Sequence, residues 1–171
     1  PSGIDARLVY SPYHSRGLLG RLGNCLHALW LKGDVVHVTG DIHYIVPFLI
    51  GRKVVLTIHD LAPLRVKFGW RRWLFRKVWY DWPLACADAV TVVSGAIRRE
   101  LFTETLCPEE RVDVIPNGVH PAFRPITKTW PARPTVLMVG TKPQKNLGRM
   151  FQALQNMDAE IMVLGCLSDE Q

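Results

Sequence analysis

Short apolar runs alternate with longer amphipathic stretches along most of the chain. The runs are rich in valine and isoleucine and predict strands at residues 7–10, 34–39, 53–58, 89–93, 112–115, 135–139 and 160–164. Helical periodicity between them predicts helices at residues 18–31, 70–87, 95–105 and 146–157. Because strands and helices alternate and the strands are almost continuously apolar, we expect an α/β fold with parallel sheets covered on both faces.

A change in composition divides the chain. Residues 116–134 hold five of the twelve prolines and show no hydrophobic periodicity, which is typical of an extended connector. We therefore predict an N-terminal domain over residues 1–116, a Pro-rich linker over 117–134 and a second domain over 135–171. The last of these has only strand, helix and strand, too little to close a core, so we expect both domains to be incomplete in this chain.

Net charge limits the class of partner only partly, and cysteine spacing bears on metal sites and disulfides. The 171 residues carry 21 Lys and Arg against 15 Asp and Glu, a formal charge of +6 that favours nucleotides, nucleic acid or an acidic membrane surface. The four cysteines are widely spaced without a CxxC motif, so we expect reduced thiols rather than a zinc site or disulfides. No apolar run is long enough to cross a bilayer.

Most of the unusual polar residues and glycines follow directly after predicted strands. They are Thr39-Gly40-Asp41, His59-Asp60, Ser94-Gly95, Asn117-Gly118 and Gly140-Thr141. Ligands of open α/β sheets bind beyond the carboxyl ends of the strands, so this pattern predicts a cleft there without naming a reaction.

One of these pairs has two competing interpretations, and two other positions have simple local ones. His59 and Asp60 are either an active-site imidazole with a polar neighbour or a turn that merely ends its strand, and the residues alone leave both open. Ser94 is predicted to be a helix N-cap, and Asn117-Gly118 is a favourable turn dipeptide.

Lys145 lies where a glycine turn leads into the last predicted helix. A flexible ammonium beside a helix N-terminus is suited to holding a diphosphate. The alternative is a solvated lysine in the first helical turn.

Residues 67–84 contain four tryptophans and five basic residues. Aromatic side chains occur almost all round the predicted helix, which favours a packed helix with a basic rim over a membrane-surface helix. Acidic residues are interspersed among the basic ones, so we expect no nucleic-acid partner.

Five segments, in this order, resemble the retaining glycosyltransferases of family 4. They are "DVVHVTG", "VVLTIHDLAPL", "ADAVTVVSGAIRREL", "VDVIPNGVHPAFRP" and "VLMVGTKPQKNLGRMFQAL", within residues 34–154. The resemblance implies a GT-B fold of two Rossmann-like domains and a nucleotide-sugar donor. The last segment is similar to that of many mannosyltransferases.

In this family the glycine-turn-lysine segment holds the donor diphosphate. The resemblance therefore implies that Lys145 and Asn146 contact the phosphates and that Gly140 and Thr141 line the approach. Thr141 stands where many members have arginine, so Lys145, together with Lys142, would carry more of the charge.

The resemblance also assigns roles in the N-terminal domain. His59, with Asp60, would be catalytic and face the sugar and the acceptor. Asn117 and Gly118 would begin the interdomain hinge, and Ser94 would start a helix beside the cleft. The family's glycine-rich loop would precede the chain and its paired glutamates would follow it, so we expect an internal fragment that is inactive by itself.

The activity that the resemblance implies is hexosyl transfer from a nucleotide-diphospho-sugar, with GDP-mannose favoured, to a glycan or lipid-linked acceptor in polysaccharide biosynthesis. We expect retained configuration, no metal and no cofactor. A cytoplasmic location is expected, with peripheral contact between the basic residues 67–77 and an anionic membrane.

Two alternatives lead to other functions. An NAD-dependent Rossmann oxidoreductase requires a GxGxxG motif and an acidic residue after the next strand, and the chain has Gly165 there instead. A non-catalytic remnant that binds a nucleotide or a protein partner stays open.

Overall fold

The computed structural model describes residues 3–125, 127, 129, 131–142 and 145–165. The chain divides into two compact units, Pro1–Val119 and His120–Gln171. The domain and linker limits at residues 116 and 134 stay predictions.

The first unit is a parallel four-stranded sheet with helices between the strands. Its strands are β1 (Val35–Val38), β2 (Lys53–Ile58), β3 (Ala89–Val92) and β4 (Val112–Val114), paired in the order β1-β2-β3-β4. Its α-helices are α1 (Gly17–Leu29), α2 (Ala62–Arg65), α3 (Gly69–Arg76), α4 (Trp82–Cys86) and α5 (Gly95–Glu104). The unit also contains two 3-10 helices, His43–Phe48 and Glu109–Arg111, and a π-helical segment, Lys77–Asp81.

The core lies against one face of this sheet. Val38, Leu56, Val90 and Val112 stand side by side across the four strands, and all are buried. Helix residues such as Ala28 pack into the same cluster. Since neighbouring β-branched and leucine side chains fill a pleated surface well, this row aligns the strands in their register. The predicted α/β class with parallel sheets is confirmed, and the strand order is Rossmann-like.

The other face of the sheet differs from the prediction of continuous apolar cover. His37 Nε2 lies 2.7 Å from Thr57 Oγ1, which lies 2.7 Å from Thr91 Oγ1 on the next strand. His37 is exposed, and Val35 on the same face is 59% exposed. The two threonines satisfy each other in the middle of the sheet, where an unpaired hydroxyl would be costly.

The helix predicted at residues 70–87 is interrupted. Helices α3 and α4 are joined by the π-helical segment Lys77–Asp81, in which the Trp82 N–H donates to the Lys77 carbonyl five residues back. Pro83 has no N–H to offer the Trp79 carbonyl four residues earlier, so ordinary α-helical bonding fails at this point.

The aromatic side chains of this helix are divided along its length rather than around it. Trp79 and Tyr80 are buried, whereas α3 has no buried residue and exposes Trp70 and Trp73. The prediction of a packed helix therefore holds for the π-helical segment and for Phe75 of α3, which packs against the core, whereas the tryptophans of α3 are exposed.

The second unit contains β5 (Thr135–Val139), α6 (Leu147–Leu154) and β6 (Glu160–Leu164). The two strands pair in parallel from Thr135 opposite Glu160 to Val139 opposite Leu164. Met138 and Leu147 are buried between the strand and the helix. This strand-helix-strand order is the one the hydrophobic pattern predicts.

The strand predicted at residues 7–10 is wrong. The segment pairs with no strand of either sheet, and Leu8 and Tyr10 are 75% and 79% exposed. The chain is fixed only a little further on, where Asn24 binds the backbone N–H and carbonyl of Tyr13 at 3.1 and 3.0 Å. Three adjacent apolar residues do not form a strand when no neighbouring strand pairs with them.

A substitution at Leu56 tests the row of buried side chains that crosses the four strands. Leu56→Ala removes a fully buried side chain from a central strand, and we expect it to lower the free energy of unfolding by about 2–5 kcal/mol. Leu106→Ala is the matched control, since Leu106 is 88% exposed and should change stability by less than about 0.5 kcal/mol. Urea unfolding followed by circular dichroism measures both, and equal effects would contradict the assigned core.

Candidate functional site

The carboxyl ends of β1 and β2 are joined through His59. Its Nε2 lies 3.0 Å from the Thr39 carbonyl oxygen, which belongs to the loop after β1. A carbonyl only accepts, so His59 donates through Nε2, and in the neutral ring Nδ1 is the nitrogen without a proton. The exposed ring therefore offers a hydrogen-bond acceptor beside the sheet edge.

Asp60 is engaged in its own turn. Its Oδ1 accepts from the Ala62 N–H at 2.9 Å, and its carbonyl accepts from Tyr80 Oη at 3.4 Å. Among the hydrogen bonds of the described residues, the Asp60 carboxylate does not hold the His59 ring. This turn starts α2 and supports the loop, and a catalytic role for Asp60 stays a prediction.

A second group at this edge was missed by the sequence analysis. His43 Nδ1 lies 3.2 Å from the Trp79 carbonyl, and Trp79 Nε1 donates to Asp41 Oδ1 at 2.9 Å. His43 also meets Tyr80 edge to face, with 5.5 Å between ring centroids. The π-helical segment is thus fastened to the loop and the 3-10 helix that follow β1.

Burial lowers the pKa of His43, and the negative charge of Asp41 opposes this effect only in part. His59 and Asp60 act on the same ring more weakly. Burial also raises the pKa of the Tyr80 phenol. A neutral, buried imidazole therefore stands behind the exposed His59, and it keeps the loop positions fixed without adding charge.

The signal for His43 was present in the sequence but indirect. Pro83 deprives Trp79 of a helical partner, and a histidine that can donate supplies one. His43 was overlooked because it lies in a short apolar segment, "HYIVPF", with no periodicity long enough to predict an element.

The remaining predicted positions of the first unit are Ser94, Asn117 and Gly118. Ser94 is an N-cap, since its Oγ accepts from the Ile97 N–H at 3.3 Å at the start of α5. Asn117 and Gly118 are exposed residues beyond β4, and the Ile115 N–H still donates to the Val92 carbonyl at 2.9 Å. A hinge role for Asn117 and Gly118 stays a prediction.

In the second unit, the turn after β5 brings a lysine over a glycine. Gly140 has a φ of +86°, and its N–H donates to the Leu164 carbonyl at 2.8 Å. A Cβ placed on Gly140 would lie 3.2 Å from Lys145 Cε, so the lysine side chain runs across the glycine backbone. Glycine allows both the positive φ and this close approach.

The other two predicted donor-side residues flank this lysine. Asn146 has a left-handed backbone (φ 55°, ψ 42°) and precedes α6 without capping it through its side chain. Thr141 packs against Gly165, where a Cβ would lie 2.9 Å from Thr141 Cγ2. Gly140, Thr141, Lys145 and Asn146 therefore gather at the carboxyl edge of the two-stranded sheet, beside the N-terminus of α6.

Within the part of the chain that the structure describes, no group of three or more His, Cys, Asp or Glu side chains is arranged to hold a metal ion. Over the same residues, no helix combines the length and apolar character needed to cross a bilayer.

Parallel sheets in sequential strand order, with polar residues at the carboxyl edges, define a Rossmann-like α/β protein. A family model described as Glycosyltransferase Family 4 matches residues 3–123, and the chain belongs to this family. The intact protein is accordingly a glycosyltransferase. No curated protein matches the chain.

His43 gives a pH-dependent prediction. An unfolded histidine has a pKa of about 6.5, and the folded pKa is lower, so unfolded chains take up a proton that folded chains do not. The contribution of neutral His43 to the free energy of unfolding should be fully present above about pH 6.5 and should decrease as the pH falls below that value.

When the pH is lowered from about 7.5 to 5.5, we expect the melting temperature of His43→Gln to fall by less than that of the wild type. His14→Gln, at an exposed position, is the control and should follow the wild type. Thermal unfolding by circular dichroism checks this, and parallel curves for all three proteins would contradict it.

Proposed function

We propose that the intact protein transfers a hexosyl unit, with retained configuration, from a nucleotide-diphospho-sugar to a glycan or lipid-linked acceptor. GDP-mannose is the favoured donor, and polysaccharide biosynthesis is the favoured setting. The observation that carries the proposal is Lys145 lying across Gly140 at the N-terminus of α6, in a chain of glycosyltransferase family 4. No metal or cofactor is part of the proposal.

The donor side relies on fixed positive charge. During transfer the bond between the anomeric carbon and the diphosphate oxygen breaks, and negative charge collects on the departing nucleoside diphosphate. The Lys145 ammonium and the N-terminus of α6 would stabilise that charge, with Lys142 nearby in sequence as a further cation. The Lys142 carbonyl accepts from the Lys145 N–H at 2.8 Å, which holds the turn closed.

The acceptor side relies on His59. Its donated bond to the Thr39 carbonyl at 3.0 Å leaves Nδ1 able to accept from a sugar or acceptor hydroxyl. The buried His43 and the Asp60 turn would keep this ring in place. Ser94 supports the neighbouring helix, and Asn117 and Gly118 would serve as the hinge.

A cytoplasmic position with peripheral contact to an anionic membrane fits an acceptor that is attached to lipid. The contact would involve the basic residues 67–77. Nucleic acid is not proposed as a partner, because acids neutralise part of this surface: Arg72 pairs with Glu104, and Arg76 and Lys77 pair with Asp81.

Lys145→Ala in the intact enzyme tests the donor site. We expect kcat/KM for the nucleotide-sugar to fall by about 10²–10³-fold, because a charge that acts on the leaving group is lost. Lys145→Arg should recover part of the rate. Arg149→Ala, which removes an exposed cation from the same helix region, is the control, and kinetics of Lys145→Ala equal to it would contradict the phosphate role.

His59→Asn tests the acceptor site. Loss of a positioned imidazole is expected to lower kcat by about 10²–10⁴-fold, while the thermal midpoint changes little because the side chain is exposed. Initial rates with saturating donor and acceptor measure this. His14→Asn serves as the control, and an unchanged kcat for His59→Asn would remove His59 from the mechanism.

A further inference from the structure

A wide groove lies between α1 and α3, and none of the residues proposed for the transfer chemistry is in its lining. Its volume is about 870 Å³, within the range of small-molecule and lipid sites. Apolar side chains make up most of its lining, among them Leu18, Leu22, Phe68, Trp70, Leu74 and Trp82.

The groove is open to solvent rather than filled by the protein. Leu18, Phe68 and Trp70 are 71%, 80% and 70% exposed. Outside the lining, Leu19 of α1 and Trp73 of α3 are also exposed, at 84% and 58%. A contiguous exposed patch of this kind marks an interaction surface, since isolated exposed side chains would need no explanation.

The basic residues near the groove fall into two groups. Four cations of residues 65–77 have acidic partners: Arg65 with Glu100, Arg72 with Glu104, and Arg76 and Lys77 with Asp81. Arg21, Lys67 and Arg71 line the groove and form no ion pair with any described residue, and no acid is among the lining residues.

The three cations without acidic partners rest on aromatic rings. The Arg21 guanidinium lies 4.7 Å from the Trp79 ring centroid, Lys67 Nζ 4.0 Å from that of Phe75, and the Arg71 guanidinium 5.6 Å from that of Trp70. Positive charge and apolar surface therefore occur side by side.

We infer that the groove between α1 and α3 docks on an anionic phospholipid bilayer. Leu18, Phe68 and Trp70 would enter the boundary between headgroups and acyl chains, and the cations without acidic partners would meet the lipid phosphates. This deepens the membrane contact proposed above by naming its site and adding hydrocarbon insertion to charge. The inference rests on the proposed function only through the proposed membrane contact, and it does not depend on the proposed sugar transfer.

A second copy of the chain fits the groove less well. A two-fold contact places the same patch on both sides of the interface. Arg21, Lys67 and Arg71 would then face their own copies without any acid in the groove. An anionic lipid surface supplies the missing negative charge.

The test measures binding of the intact protein to vesicles by co-sedimentation. Vesicles of equal parts phosphatidylcholine and phosphatidylglycerol are compared with vesicles of phosphatidylcholine alone. We expect binding to the anionic vesicles, and Trp70→Ser should weaken it by about 10-fold or more, as expected for loss of a buried aromatic side chain. Trp30→Ser is the matched control, because Trp30 is 80% exposed and outside the groove.

Charge is tested separately. Arg71→Gln should weaken binding to anionic vesicles several-fold, as about 1 kcal/mol per surface cation implies. Arg99→Gln, at an exposed position on α5, should not. Acyl chains brominated near the headgroup should quench tryptophan fluorescence, and Trp70→Ser should reduce the quenched part.

The outcomes separate the two proposals. If Arg71→Gln weakens binding but Trp70→Ser matches Trp30→Ser, contact is by charge alone, and the groove assignment is overturned while the peripheral contact stands. No binding to anionic vesicles, or a dimer that Trp70→Ser dissociates, overturns docking on membranes and leaves transfer to a soluble acceptor unaffected. Groove-dependent binding without any sugar transfer supports the groove and overturns the proposed activity.

Discussion

The contact on which the first unit's site depends is the one between His43 Nδ1 and the Trp79 carbonyl, at 3.2 Å. It joins the 3-10 helix after β1 to the π-helical segment, 36 residues apart in sequence. Trp79 makes a second link through its indole, which donates to Asp41 at 2.9 Å. The exposed His59 is positioned on the Thr39 carbonyl of the same loop, so the loop's rigidity comes from a helix that carries no predicted site residue.

Helices and strands were predictable where the hydrophobic pattern is strong and polar residues mark the ends of the element. Strand β2 was predicted to the residue, because an apolar run ends sharply at the polar pair His59-Asp60. The π-helical segment was not predictable from periodicity, since an interruption of one turn hardly disturbs the spacing of apolar residues over a long helix. The strand predicted at residues 7–10 failed because strand formation depends on a neighbour, which a local pattern does not contain.

The site residues that directly follow strands were predictable from the sequence, whereas the buried His43 was not. Strand-end residues follow from the sheet's topology, which brings His59 beside the loop of Thr39 without any knowledge of side chains. His43 depends on a tertiary contact with a helix far along the chain. Similarly, the glycine-turn-lysine order pointed to Lys145, but only the structure shows its side chain running over Gly140.

The segment from Phe68 to Cys86 combines two environments. Its second half buries Trp79 and Tyr80 against the site, and its first half exposes Phe68, Trp70 and Trp73 beside cations that have no acidic partner among the described residues. Net charge alone cannot separate these two groups of residues, because paired and unpaired cations count equally in it. A surface that docks on a bilayer would thereby be connected, through Phe75 stacked 4.8 Å from Trp79, to the contacts that hold the loop of His59. The two environments of this segment are therefore physically linked within the first unit.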